Sequence, residues 1–320
     1  ISFFLALFLA MTASAENVSW LRYPSISPDG KTVAFSYKGD IYLVSSQGGE
    51  ASQLTSAPAY DYAPIWSPDG QTLAFASDRH GNFDIYTISV NGGTPVRVTT
   101  HSAKETPWTF TPDGKRILFT ARIQDPSSSA LFPKGSMTEL YSVNIKGGRY
   151  EQVLATPAEE VSFIGNTGSF LYQDCKGGEN IWRKHHVSSI ARDIWKYDGK
   201  NHIRLTSFVG EDRSPRMSKD GKTVYFMSER DGSFNIYSFP VDDPQNVTRI
   251  TRHKTHPVRF LTISDNDMLC YGYDGDIYVK NGNSQSRKLD ITLKSDNSAN
   301  DIAVLTVSGG AYNDVSGDGK

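Results

Sequence analysis

Apolar residues in this chain come in short runs bounded by glycine, proline, aspartate and asparagine, and the runs recur in a fixed order. Val33-Ala34-Phe35, Leu73-Ala74-Phe75 and Val224-Tyr225-Phe226 each follow a polar turn: Ser27-Pro28-Asp29-Gly30-Lys31, Ser67-Pro68-Asp69-Gly70-Gln71 and Ser218-Lys219-Asp220-Gly221-Lys222. A fourth copy stands at Thr111-Pro112-Asp113-Gly114-Lys115. In such a turn Pro presets φ and Gly accepts the positive φ of a tight hairpin, so strands must flank it. The runs themselves mix β-branched, aromatic and small residues, which suits strands buried between sheets.

A second signature joins an acidic or amide residue to an aliphatic and an aromatic one. It occurs six times, at Asp40-Ile41-Tyr42, Asp84-Ile85-Tyr86, Glu139-Leu140-Tyr141, Asp193-Ile194-Trp195, Asn235-Ile236-Tyr237 and Asp276-Ile277-Tyr278. Glycine pairs at Gly48-Gly49, Gly92-Gly93 and Gly147-Gly148 then lead to a closing signature, Gln53-Leu54-Thr55, Arg97-Val98-Thr99, Arg204-Leu205-Thr206 or Arg249-Ile250-Thr251. The central aliphatic residues of the second signature lie 44, 55, 54, 42 and 41 positions apart. Units of that length with four short strands match the period of a β-propeller blade, and no long 3.6-residue periodicity is present. The predicted fold is therefore all-β: a six-bladed propeller of four-stranded antiparallel blades spanning 20–56, 57–100, 101–155, 156–207, 208–252 and 253–290. A single seven-bladed ring is the competing architecture. Blades four and six have degenerate first turns, at Asn166-Thr167-Gly168 and Asp265-Asn266-Asp267.

The two ends depart from the repeat. Residues 1–15 run apolar from Ile1 to Met11 and end in Ala13-Ser14-Ala15, which reads as a signal peptide too short to span a bilayer, without the usual basic start. That predicts export, with a mature chain from about residue 16 to 290 forming the propeller. From residue 291 onward a linker, the apolar run Ile302-Ala303-Val304-Leu305 and a further turn at Ser316-Gly317-Asp318-Gly319-Lys320 are expected to begin a second propeller or domain.

Composition narrows the function classes. With 38% hydrophobic and 12% aromatic residues in 320, the chain can bury a large core, and a formal net charge of −2 gives no basic excess for nucleic acid or an anionic membrane surface. Cys175 and Cys270 fall in or beside apolar strand patterns, two repeats apart, and read as packed thiols rather than a favoured disulfide. No Cys/His spacing suggests zinc, and adjacent His185 and His186 point to opposite sides of an extended chain, so no metal or cofactor is assigned.

Blades three and four carry insertions between their second and third strands, residues 122–138 and 176–192. In an antiparallel meander those loops and the blade-to-blade links emerge at one rim, while the Asp-Gly and Gly-Gly turns occupy the other. Arg122, Phe132, Lys134, Trp182, Arg183, Lys184, His185, His186 and Arg192, with Leu131, are the candidate peptide or partner contacts. Ser188, Ser189, His185, His186 and Asp193 supply nucleophile, base and acid types, but triads assemble from distant segments and no Gly-x-Ser-x-Gly elbow is present. Accordingly no catalytic residue is assigned. The repeated Asp of the second signature reads as a blade-building device, and the innermost segments, such as Ala63-Pro64-Ile65-Trp66 and Thr106-Pro107-Trp108-Thr109-Phe110, as packing.

These repeats resemble those of TolB and of the tricorn protease. The stretch Arg183-Lys184-His185-His186-Val187-Ser188-Ser189-Ile190-Ala191-Arg192-Asp193-Ile194-Trp195 is more similar to tricorn-like proteases than to TolB, and Tyr23-Pro24 before Ser27-Pro28-Asp29-Gly30 fits the start of that family. The resemblance implies a serine peptidase whose propellers control peptide entry or product exit ahead of a PDZ module and a catalytic part. The implied partners are peptides or unfolded segments, the protein's own downstream domains and further copies of itself, with nucleic acid and membrane excluded and a periplasmic location expected. A TolB-like binding scaffold without catalysis is the alternative.

Overall fold

Each copy of the repeat folds as the pattern requires, because every signature supplies one local solution for the backbone. The computed structural model describes residues 16–123, 137–178, 180 and 182–293. In the first blade, strands Arg22–Ile26, Thr32–Tyr37, Asp40–Ser45 and Gly49–Gln53 run as an antiparallel meander from the channel outward. Five further meanders follow, starting at strands Asp61–Trp66, Thr106–Phe110, Ala158–Phe163, Asp212–Met217 and Arg259–Ile263, and together they make a six-bladed β-propeller.

The turn between the first two strands is held by its own side chains. Ser27 Oγ donates to Asp29 Oδ1 (2.6 Å) and accepts the Thr32 amide (3.0 Å), while Asp29 Oδ1 also accepts the Lys31 amide (3.0 Å). The same bonds recur around Asp69, Asp113 and Asp220. Gly30 sits at φ +74°, and in the degenerate sixth turn Asp267 takes the left-handed backbone instead at φ 58°. The turn chemistry therefore survives the loss of its glycine, since aspartate is among the residues that tolerate this region.

The second and third signatures explain each other. The closing Thr55 hydroxyl accepts the Ile41 amide at 2.9 Å and donates to Asp40 at 3.2 Å; Thr251 does the same for Ile236 and Asn235. An acceptor oxygen is all that is needed, which is why Asn235 replaces Asp.

Six apolar clusters each lie between two successive blades, and the one containing Cys270, Ile277 and Val279 of blade six also contains Val33, Phe35 and Tyr42 of blade one. The ring is closed by that cluster together with backbone bonds from Leu21 to Gly275 (2.9 Å) and from Asp265 to Pro28 (2.8 Å). Cys175 and Cys270 are free thiols.

One boundary moves. Ile291–Leu293, expected in the linker beyond 290, forms a strand parallel to Gly49–Gln53 on the outer edge of blade one, and Glu16–Asn17 pairs antiparallel with it. The pairing covers an edge that would otherwise be open and latches the chain's exit from blade six to blade one. Residues 1–15 and 294–320, with the expected signal peptide and the start of a following domain, lie outside the described residues.

Candidate functional site at the channel mouth

The innermost strands break register at equivalent places around the ring. The bulges fall between Arg22 and Ser25, Tyr62 and Ile65, Pro107 and Thr109, Glu159 and Ser162, Arg213 and Arg216, and Arg259 and Thr262. Five contain a non-glycine residue in the left-handed region: Tyr23 (φ 51°), Ala63 (φ 53°), Glu160 (φ 54°), Ser214 (φ 50°) and Phe260 (φ 57°). Each such residue costs roughly 1–2 kcal/mol, and a bulge re-aims side chains that a regular strand would alternate between its two neighbours. All five, and Trp108 at the sixth bulge, line or border one cavity of about 630 Å³ at the rim that carries the second-to-third-strand loops.

The two halves of this mouth differ. Along blades six, one and two runs a collar of rings, joined by Trp182 from the blade-four loop, with Trp182 to Phe260 at 5.9 Å, Phe260 to Tyr23 at 4.5 Å, Tyr23 to Tyr62 at 5.3 Å and Tyr62 to Phe83 at 5.1 Å between centroids. Lys104 Nζ lies 5.4 and 5.0 Å from the Tyr62 and Phe83 rings. Burial, and then the neighbouring Tyr62, push the Tyr23 hydroxyl up to about 12, so it stays a neutral donor.

The opposite half is charged. Glu160 pairs with Arg216 at 2.5 Å, and Glu159 accepts from Gln173 at 3.1 Å. Arg213 of blade five and Arg259 of blade six, beside the collar, both lie over the Phe234 ring, at 5.3 and 5.1 Å. Burial, and then the charge of Arg213, lower Arg259 to about 10 against the opposing pull of Glu229. This surface offers aromatic faces for apolar or cationic side chains and, across the channel, fixed charges of both signs.

The candidate loop residues divide between surface and interior. Arg122 and Trp182 line the cavity, Trp182 with 45% of its surface exposed, and Arg183, Lys184 and His185 face solvent. Phe132, Lys134 and Leu131 lie outside the described residues. His186 and Arg192 correct the expectation of a surface contact: they are 2% and 3% exposed and anchor the base of the loop. What pulls them in is Glu211, fully buried just before the innermost strand of blade five. Its Oε1 lies 2.7 Å from His186 Nδ1 and 3.6 Å from Arg192 Nη1, and its Oε2 accepts from Arg213 Nε at 2.8 Å. Burial alone would raise this carboxyl, but the Arg213 bond and charge, His186 and Arg192 outweigh it and hold it at about 2.

Ser188 Oγ lies 2.6 Å from His186 Nε2, whereas Asp193 turns to Lys176 (2.5 Å) and Arg204 (2.8 Å), and the His185 amide donates to Glu229 (2.6 Å). Sequence reasoning missed Glu211, because its partner lies 25 positions away in another blade. It also missed the collar, taking Ala63, Thr106 and Trp108 for packing when they line the cavity. A signal was present: Pro24, Pro64, Pro107 and Pro215 sit in the innermost strands, which are the edge strands of their sheets, and proline in a strand marks an edge or a bulge.

The fold and its mouth define a six-bladed β-propeller with one cavity at the channel rim. Residues 18–286 match the family described as the tricorn protease N-terminal beta propeller domain, and the chain belongs to that family. The tricorn protease structure superposes with a TM-score of 0.71 at 21% identity, over 84% of this chain and 26% of that one. TolB from Acinetobacter baumannii gives 0.62 at 17% identity, over 86% of this chain and 65% of that one. A peptidase of Bacillus subtilis, YuxL, is 46% identical over 55 residues, 16% of this chain and 8% of its own length. A TolB homolog of Chlorobium luteolum is 33% identical over 81 residues, 22% of this chain and 19% of its own. The chain thus spans about a quarter of the tricorn protease chain and less of these sequence relatives. Among the described residues no helix is long and apolar enough to cross a membrane.

Proposed function

We propose that this propeller receives extended peptide segments at its channel mouth and filters peptides or products for a serine peptidase part that follows it in the full protein. The observation that carries the reading is the collar Trp182, Phe260, Tyr23 and Tyr62 facing Glu159, Glu160 and Arg213 across one cavity. Rings grip side chains with little sequence preference, and charged groups opposite them orient a peptide's polar atoms and termini. The family membership supports the peptidase setting. The apolar stretch of residues 1–15 supports export to the periplasm, and a downstream propeller, a PDZ module and self-association belong to the same proposal.

The test is peptide binding to the 320-residue chain, followed by fluorescence polarisation with a labelled mixed peptide pool. Tyr62→Ala and Phe260→Ala are each expected to weaken binding about tenfold, equivalent to ~1.4 kcal/mol. Peptide hydrolysis that needs the longer protein and stops with a serine-directed inhibitor completes the reading. The likeness to TolB over 86% of the chain favours a second reading, a scaffold for folded partners. Binding of folded proteins, but not of peptides, would select it.

A further inference from the structure

The loop of residues 176–192 holds an arrangement that the peptide-channel reading does not use. We propose that Ser188 is an activated nucleophile, oriented through His186 by Glu211, and that it accepts acyl or phosphonyl groups from small activated esters. The catalytic assignment left empty by the sequence is thereby filled, with the acid supplied by a distant blade.

The hydrogen bonds accommodate a relay that runs from Glu211 through His186 to Ser188. Glu211 is fully buried and takes Arg213 Nε on Oε2 at 2.8 Å, so it acts as an acceptor-only carboxylate. Facing its other oxygen at 2.7 Å is His186 Nδ1, and in the neutral imidazole protonated there Nε2 is the acceptor for the Ser188 hydroxyl at 2.6 Å. His186 is 2% exposed while Ser188 faces solvent, so the base is buried and the hydroxyl is open to a reagent. Ser188 Oγ also accepts the Ile190 amide at 3.2 Å, which holds its rotamer. The Ser189 amide, next in the chain, has no hydrogen-bond partner among the described residues. A turn-capping role accounts for the Ile190 bond alone. It does not require an imidazole on the same oxygen, locked from behind by a carboxylate of another blade.

In the step itself, Ser188 Oγ bonds to the carbonyl carbon and its proton passes to His186 Nε2. The bond to the leaving alkoxide or phenoxide breaks, and that group departs with the proton. Water, deprotonated by Nε2, then cleaves the acyl-serine and restores the hydroxyl. With a fluorophosphonate, the O–P bond forms, the P–F bond breaks and fluoride carries the charge away.

The experiment treats the 320-residue chain with a fluorophosphonate probe and locates adducts by mass spectrometry of peptides. Ser188→Ala, Ser189→Ala and the urea-unfolded chain are run beside it. Both substitutions are at exposed positions, and unchanged thermal midpoints check their folds. The expected result is one adduct at Ser188, forming about a hundredfold faster than in the unfolded chain, as a positioned base provides. It should be absent from Ser188→Ala and kept in Ser189→Ala. No adduct on the folded chain, label surviving in Ser188→Ala, or equal label at Ser188 and Ser189 would overturn the proposal.

Discussion

Glu105 ties the stability of the ring to pH in a direction opposite to that of most carboxylates. It is fully buried at the entry to blade three, where its Oε2 accepts the Thr99 hydroxyl at 2.5 Å and its neighbour Asp84 is ion-paired with Arg97 at 2.5 Å. Burial, helped by the charge of Asp84, raises its pKa from 4.5 to about 8. The folded protein therefore keeps a proton that the unfolded chain releases above pH 4.5. Its stabilising effect is complete below that pH and is lost as pH rises towards 8. One proton held by the folded chain alone changes the unfolding free energy by about 1.4 kcal/mol for each pH step of one, so the loss between pH 5 and pH 7.5 comes to about 3 kcal/mol. Glu105→Gln keeps an oxygen for Thr99 and places an amide N–H towards Asp84, so it mimics the protonated acid at every pH. Urea unfolding of both proteins at pH 5, 6, 7 and 7.5 cancels the titration of all other groups. The wild type should lose about 3 kcal/mol relative to Glu105→Gln over that range. Parallel stability curves for the two proteins would refute the assignment of a buried, protonated Glu105.

Two further predictions concern the frame of the propeller. Gly48 has φ +91°, and an added Cβ would lie 2.8 Å from the Asp290 carbonyl in the latch; at Gly92, with φ +89°, it would meet nothing within 4 Å. Gly92→Ala should cost roughly 1–2 kcal/mol of unfolding free energy from backbone strain alone, and Gly48→Ala clearly more, with faster hydrogen exchange at Glu50 and Ala51; equal losses would remove the latch from the account. Arg79 holds the fully buried Asp61 at 2.8 Å and lies 4.7 Å over the Tyr86 ring. Arg79→Ala strands that carboxylate and should cost roughly 3–5 kcal/mol in urea unfolding, with Asp61→Asn in the same protein recovering much of it.

The repeat was legible because each signature is a local device. Ser27, Asp29 and Gly30 build their turn within five residues, and Thr55 reaches Asp40 within one hairpin. Blade number, strand order and the rim on which the long loops emerge follow from such short-range bonds, and so does membership of a recognisable family. The site follows from longer-range geometry. Tyr23, Tyr62 and Phe260 meet only when the first and last blades close the ring, and bulges invisible to a period-two pattern turn them into the channel. His186 and Arg192 look like surface charges until Glu211 of the next blade draws them inside, and Ile291–Leu293 reads as linker until blade one offers an open edge. Local hydrogen bonds can be read along the chain, whereas burial and charge pairing depend on which distant segments the closed ring brings within a few ångströms.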